Sequence, residues 1–186
     1  PVLSRGLGDV YKRQPCTKCI NACPTEAIIS PGVIDSNRCL AWLVQSPLDF
    51  PPEFREALGE KIYGCDDCQD ICPINKYEER VGDLKTRQNK STVSIFDILE
   101  QDEETLITRY GQWYIPQRDP RYLRRNALLV LGNIGNTESE KVQAIVSRYL
   151  ESPDSMLRSY AVWTAKRLGL TNLLTGMEND GSEDVQ

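Results

Sequence analysis

The sequence predicts a mainly α-helical chain in two parts, the first rich in cysteine and the second a short helical repeat. Three observations carry that reading. Six of the seven cysteines fall in two groups of identical spacing, a helical segment recurs at an offset of 34 residues, and net charge changes sign between the two regions. At 186 residues the chain is long enough for one or two cored domains. Its 40% hydrophobic content is too high for a disordered chain, and its apolar runs are too broken for a membrane span. There is no His, which excludes Cys–His zinc sites, Ser–His and Cys–His nucleophile pairs, and imidazole proton shuttles. No secretory signal pattern is present, so the expected setting is the cytoplasm, with no membrane association.

Residues 1–14 carry no capping signal or periodicity and read as a non-native leader, similar to translated sequencing adapter. Residues 15–75 are dense in Cys, Pro and turn formers, with short helical stretches such as Pro52–Glu60. Residues 76–117 read as a connector containing short helices at Ser94–Leu99 and Glu103–Tyr110, and residues 176–186 as a frayed acidic tail. Charge separates the same regions. Residues 15–75 hold 4 basic and 9 acidic residues, whereas residues 118–175 hold 9 basic and 5 acidic, so an acidic module precedes a basic one.

Within residues 118–175, Leu123-Arg124-Arg125-Asn126-Ala127 returns as Leu157-Arg158-Ser159-Tyr160-Ala161, and Gly135 returns as Gly169. Asp119-Pro120 reads as an N-cap followed by a first-turn proline. Leu123, Ala127, Val130, Leu131 and Ile134 then share one helical face, with Gly132 and Gly135 helping to end the helix. Val142, Ile145, Val146, Tyr149 and Leu150 define a second helix, and Leu157, Ala161, Ala165 and Leu168 a third. Helices at this spacing predict a short stack of HEAT-like pairs. Two repeats are few, so the stack is expected to dock on other parts of the chain.

The first cysteine group is Cys16-Thr-Lys-Cys19-Ile-Asn-Ala-Cys23-Pro24, and the second is Cys65-Asp-Asp-Cys68-Gln-Asp-Ile-Cys72-Pro73. Each is most of the bacterial ferredoxin run, in which three thiolates hold one 4Fe–4S cluster and the thiolate before the proline reaches the other. The fold class expected is therefore a bacterial-ferredoxin-like two-cluster domain followed by short HEAT-like α-helical repeats. Exchange of the last thiolate assigns Cys16, Cys19 and Cys72 to one cluster, and Cys23, Cys39, Cys65 and Cys68 to the other. The first cluster lacks a ligand, because the position three residues before Cys16 is Arg13. Structural zinc is the main competing reading, since C-x2-C pairs also form zinc ribbons. The three-residue step to Cys-Pro, present twice, does not fit a ribbon. Ile20, Ile28, Ile71 and Ile74 are placed to keep water from the clusters, and Thr25-Glu26 reads as the capped start of a short helix.

The segments CTKCINACPTEAI, Ile34–Leu40, YGCDDCQDICPINKY and RNALLVLGNIGN together resemble the epoxyqueuosine reductase family, from Cys16 to about Gly169. That resemblance implies reduction of epoxyqueuosine to queuosine in the tRNA anticodon loop. It also implies a cobalamin domain that precedes the matched region, electron delivery by the clusters, and tRNA holding by the helical part. It supports the same cysteine assignment, with Cys39 on the second cluster. It carries over no catalytic residue, and the chain alone is expected to be inactive. An electron donor protein is an expected partner, and a monomer is the expected state. The alternative reading is a stand-alone two-cluster ferredoxin-type electron carrier with a helical protein-interaction domain.

Arg118, Arg121, Arg124, Arg125 and Arg158 cluster around the repeat helices and are the candidate tRNA-phosphate contacts. On a helical wheel Arg121 and Arg125 lie opposite the Leu123/Ala127/Leu131 face, so both are expected to point outward. The competing reading is an ordinary solvated helix face. Trp42, Trp113, Tyr114 and Trp163 are read as core rather than as stacking platforms for bases.

Overall fold

The structure, a computed structural model, describes residues 16–75 and 92–175. The expected leader, the first part of the connector and the acidic tail lie outside those residues. The described chain forms two compact units, one of residues 16–43 and 65–75, the other of residues 44–64 and 92–175. The fold is mainly α, with a ferredoxin-like unit and a short helical repeat.

The first unit contains helix α1 (Lys18–Ala22) and an antiparallel hairpin of β1 (Ile28–Ser30) and β2 (Val33–Ile34). A 3-10 turn (Ser36–Arg38), helix α2 (Leu40–Leu43) and helix α4 (Asp67–Asp70) complete it. Gly32 makes the tight hairpin turn at φ +81°, a backbone angle that suits a residue without Cβ. The expected helix at Thr25-Glu26 does not form. Glu26 stands at φ +52° and the chain runs on into β1, because the Thr25 hydroxyl is buried and donates to Arg38 O at 2.6 Å. A hydroxyl spent on a distant carbonyl cannot cap its own helix.

The second unit contains α3 (Pro52–Arg55), α5 (Ile95–Glu100), α6 (Glu103–Tyr110), α7 (Arg121–Ile134), α8 (Glu140–Leu150) and α9 (Ser155–Leu168). Helix α3 is shorter than the Pro52–Glu60 stretch expected for it, residues 56–60 being turns. The connector helices form where expected, with Ser94 and Asp102 accepting the N–H of Asp97 and Thr105. The bounds of α7 and α9 differ by 34 residues at both ends, so the sequence repeat is a structural one. Helix α9 packs against α7 and α8. Val142, Ile145, Val146, Tyr149 and Leu150 of α8 are all buried, as are Leu123, Ala127, Val130 and Leu131 of α7. Ile134, expected on that face, is 54% exposed at the helix end.

Pro120, not Asp119, occupies the N-cap of α7, but Asp119 Oδ1 accepts the Arg121 N–H at 2.9 Å and supplies the capping bond from one residue earlier. Gly132 does not end α7. A Cβ there would stand 2.6 Å from the Trp163 ring, so this glycine lets α9 approach. Gly169 closes α9 in the left-handed region at φ +71°.

Residues 44–64 leave the cysteine unit, where a boundary at residue 75 had placed them, because polar groups of the helical unit satisfy their backbone. Arg125 Nη1 donates to Ser46 O at 2.9 Å and Leu48 O at 2.8 Å, and Asn133 Nδ2 to Arg55 O at 2.9 Å and Gly59 O at 3.2 Å. Tyr160 receives the Phe50 N–H on its hydroxyl at 2.7 Å and donates that hydroxyl to Asp49. Arg55 lies with its guanidinium 4.7 Å from the Tyr160 ring centroid.

Candidate metal centre

The two cysteine groups adopt matching local structure. Thr17 and Asp66, 49 residues apart, precede α1 and α4 with nearly the same backbone angles, φ −113° and ψ 13° against φ −110° and ψ 9°. Cys19 lies within α1 and Cys68 within α4, and the two helices pack together. Cys23 ends α1, and the Cys72 N–H closes onto Gln69 O at 3.0 Å. Cys39 ends the 3-10 turn, and its carbonyl accepts the N–H of Trp42 and Leu43 in α2.

A reciprocal pair of bonds ties the Cys23 turn to the Cys39 turn. The Thr25 hydroxyl donates to Arg38 O, and Arg38 Nε donates back to Thr25 O at 2.9 Å. Asp35 sets the approach to Cys39 by accepting the Asn37 N–H at 2.9 Å. Sequence reasoning missed Thr25 and Arg38. The signal was there in a threonine directly after Cys-Pro and an arginine directly before Cys39, but their pairing is visible only in three dimensions.

All seven cysteines are half-buried thiols, none of them in a disulfide. Burial pushes the Cys23 thiol up, but the Thr25, Ala27 and Ile28 donors around its sulfur outweigh that and hold it below the usual range. The Ala27 N–H reaches Cys23 Sγ at 3.2 Å. Burial raises the Cys68 thiol, and the nearby Cys19, Cys39 and Cys23 raise it further as like charges. Cys68, of the second group, thus lies near two thiols of the first group and the isolated Cys39. Among the described residues no three Cys, Asp or Glu side chains gather closely enough to hold a single ion. Half-buried thiols drawn from both groups, with N–H donors on sulfur, are a donor set that fits a cluster. A cleft of about 570 Å³ opens beside Cys23, lined in part by Ile20, Ile28, Asp35 and Arg38. Ile74 is half-buried, and Ile71, expected to exclude water, is 36% exposed.

In the helical unit the five candidate arginines separate. Arg125 is corrected: it is fully buried. The wheel placed it opposite the apolar face of α7, but residues 44–64 cover that side, and every residue from Arg125 to Gly132 is buried. Arg118 is exposed and donates to Gly111 O at 3.3 Å. Arg121 is partly exposed and pairs with Asp119 at 2.9 Å and Asp154 at 3.8 Å. Arg124 donates to Gln101 O at 3.0 Å and faces Glu103 at 3.4 Å, and Arg158 donates to Ser152 O at 2.7 Å. Arg118, Arg121 and Arg124 share a cleft of about 840 Å³ with Glu103, Asp119, Glu151 and Asp154. The basic excess read from the sequence is thus largely offset locally. Trp113 stacks on Tyr63 at 4.6 Å, while Trp42 and Tyr114, read as core, are exposed.

A family model described as a 4Fe-4S double cluster binding domain matches residues 14–75. The epoxyqueuosine reductase of Bacillus cereus is 32% identical over 83% of this chain and 40% of its own length. The solved epoxyqueuosine reductase of Bacillus subtilis superposes with a TM-score of 0.77 at 25% identity, covering 93% of this chain and 48% of that one. An epoxyqueuosine reductase solved with an epoxyqueuosine-modified tRNA stem loop has the same fold at a TM-score of 0.76 and 24% identity, covering 93% and 47%. The chain spans less than half the length of these proteins. Over the residues it spans, the chain belongs to the epoxyqueuosine reductase family.

Proposed function

We propose that this chain is the electron-delivery and tRNA-holding part of an epoxyqueuosine reductase, an enzyme that reduces epoxyqueuosine to queuosine in tRNA with cobalamin. The matching backbone of the two cysteine groups and the packing of α1 against α4, which bring Cys19 and Cys68 into one unit, carry the reading. Two 4Fe–4S clusters are its cofactors. Cys23, Cys39, Cys65 and Cys68 hold one, and Cys16, Cys19 and Cys72 hold the other with a ligand missing, Arg13 lying outside the described residues. A bound cluster supplies single electrons. The chain's own residues hold its thiolates, tune it through the Ala27 N–H on Cys23, and limit water through Ile20 and Ile28. The reacting cofactor, cobalamin, needs a binding domain of its own, which these residues serve with electrons. An electron donor protein supplies the clusters, and the chain works as a monomer in the cytoplasm. Among the described residues no helix is long and apolar enough to cross a membrane.

The relative solved with a tRNA stem loop supports tRNA as the partner. Arg118, which is exposed, and Arg121, which is partly exposed, are the phosphate contacts, with Arg124 and Arg158 contributing less because they are half-buried and bond backbone carbonyls more closely, at 3.0 and 2.7 Å, than Arg118 does. Anaerobic reconstitution tests the reading. The parent should retain about four irons stably, and Arg13→Cys should raise the content toward about eight. Zinc in place of iron, with no visible chromophore, overturns it.

A further inference from the structure

Between Cys39 and Cys65 the chain leaves the first unit after Leu43 and returns to it at Cys65. Carbonyls from the two ends of that excursion meet on one side chain. Asn126 Nδ2 donates to Val44 O at 2.8 Å and to Ile62 O at 3.3 Å. Its Oδ1 is gripped by Arg125 Nε and Nη2, both at 3.1 Å, which fixes which end of the amide donates. Asn126 and Arg125 are both 0% exposed, so water does not reach the donor side chains, and the bonds to Val44 O and between the two side chains are buried.

Each end reaches its cysteine by a short, anchored path. Val44 follows Cys39 through α2, whose Trp42 and Leu43 N–H groups bond Cys39 O at 3.0 and 2.9 Å. Ile62 is followed by Tyr63, which stacks on Trp113 and accepts the Tyr114 N–H at 2.7 Å. An untied flexible segment of this length has ends roughly 23 Å apart on average, with wide fluctuation. Two ligands of one cluster tolerate far less. The Tyr63 hydroxyl also donates to Gln45 Oε1 at 3.4 Å across the two ends, and among the described hydrogen bonds those of Asn126 join the main-chain carbonyls of both.

We propose that Asn126 is a positioning residue of the metal centre: it closes residues 44–62 into a loop of fixed span and so sets the separation at which Cys39 and Cys65 are presented to one cluster. The proposal rests on the reading that both thiolates ligate the same cluster. It gives the polar start of the RNALLVLGN segment a role outside the tRNA contacts.

The test uses the whole chain, reconstituted anaerobically, as parent, Asn126→Asp, Asn126→Ser and Thr164→Val. Asn126→Asp keeps an oxygen for Arg125 and removes the donor shared by the two carbonyls. Asn126→Ser withdraws that donor without adding charge and serves should the first variant not fold. Thr164→Val removes a buried hydroxyl bonded to Leu128 O and Tyr160 O, in the same unit but touching neither end of the excursion. Iron release to a chelator and the electron paramagnetic resonance spectrum of the reduced cluster are followed beside thermal melting. The Asn126 variants should release iron about tenfold faster, with a shifted spectrum, while Thr164→Val lowers the melting temperature with parental release and spectrum. Parental release and spectrum in a folded Asn126 variant overturn the proposal. An equal change in Thr164→Val also overturns it, because general loosening of the unit then accounts for the effect. A parent that takes up no cluster overturns the underlying reading, and the proposal with it.

Discussion

Arg125→Met separates a structural arginine from an RNA-binding one. Methionine reproduces the apolar stem that packs in the interior and removes the guanidinium. Two short charge-assisted bonds are then lost, to Ser46 O at 2.9 Å and Leu48 O at 2.8 Å, along with both bonds to Asn126 Oδ1. Hydrogen bonds to a charged group contribute about 1.5–3 kcal/mol each. Relief from holding a desolvated charge returns part of that sum. A net loss of about 3 kcal/mol is expected, a large share of the roughly 5–15 kcal/mol available to a domain. In a unit of this size each kcal/mol moves the melting temperature by about 4–8 °C, so Arg125→Met should melt at least about 12 °C lower by circular dichroism. The slope of log tRNA affinity against log salt, measured well below that temperature, should match the parent. A melting temperature within about 2 °C of the parent, with a slope flatter by about 0.9, would show that Arg125 reaches phosphate and that its buried role is wrong.

Arg118→Ala should flatten that same salt slope by about 0.7–0.9 without shifting the melting temperature, because its guanidinium is exposed. Burial and the bond to Asp49 hold the Tyr160 hydroxyl up at about 12, against about 10 in the unfolded chain. Its contribution is therefore complete below about pH 10 and is lost between about pH 10 and 12, a fall of about 2–3 kcal/mol. Tyr160→Phe should remove that part of the stability–pH curve in denaturant titrations, and an unchanged curve would refute the assignment. Gly132→Ala should destabilise the helical unit by about 1–3 kcal/mol in urea unfolding, since the added carbon meets the Trp163 ring. A neutral result there would mean that α9 can move aside.

Most of the helical part was legible, because burial there follows the 3.6-residue period that spacing reports. The five apolar positions of α8 are all buried, and the repeat offset recurs in the bounds of α7 and α9. Spacing also brought out the resemblance of the two cysteine groups, down to the angles at Thr17 and Asp66. What sequence reasoning lost was anything decided by a distant partner. A wheel assumes one apolar face and one wet face, yet α7 is covered on the side of Arg125 by a segment nearly 80 residues earlier. Thr25 resembles a helix cap until its hydroxyl is seen to serve Arg38 O. Asn126 and Asn133, seven residues apart on α7, are the signal that could have been read. Two amides on one stripe of an otherwise apolar helix need backbone partners, and the excursion supplies them.

The way residues 44–64 are held has a consequence for the order of events during synthesis. Their carbonyls are satisfied by side chains of α7 that are translated much later. Cys65 leaves the ribosome about 60 residues ahead of Asn126, and at roughly 5–20 residues per second that is an interval of roughly 3–12 s. Through that interval the cysteines exist without the α7 bonds that hold the segment between them. On the proposed ligand set, cluster insertion at Cys39 and Cys65 is a late step, completed after the helices have emerged, and the nascent thiols depend on a reducing surrounding until then.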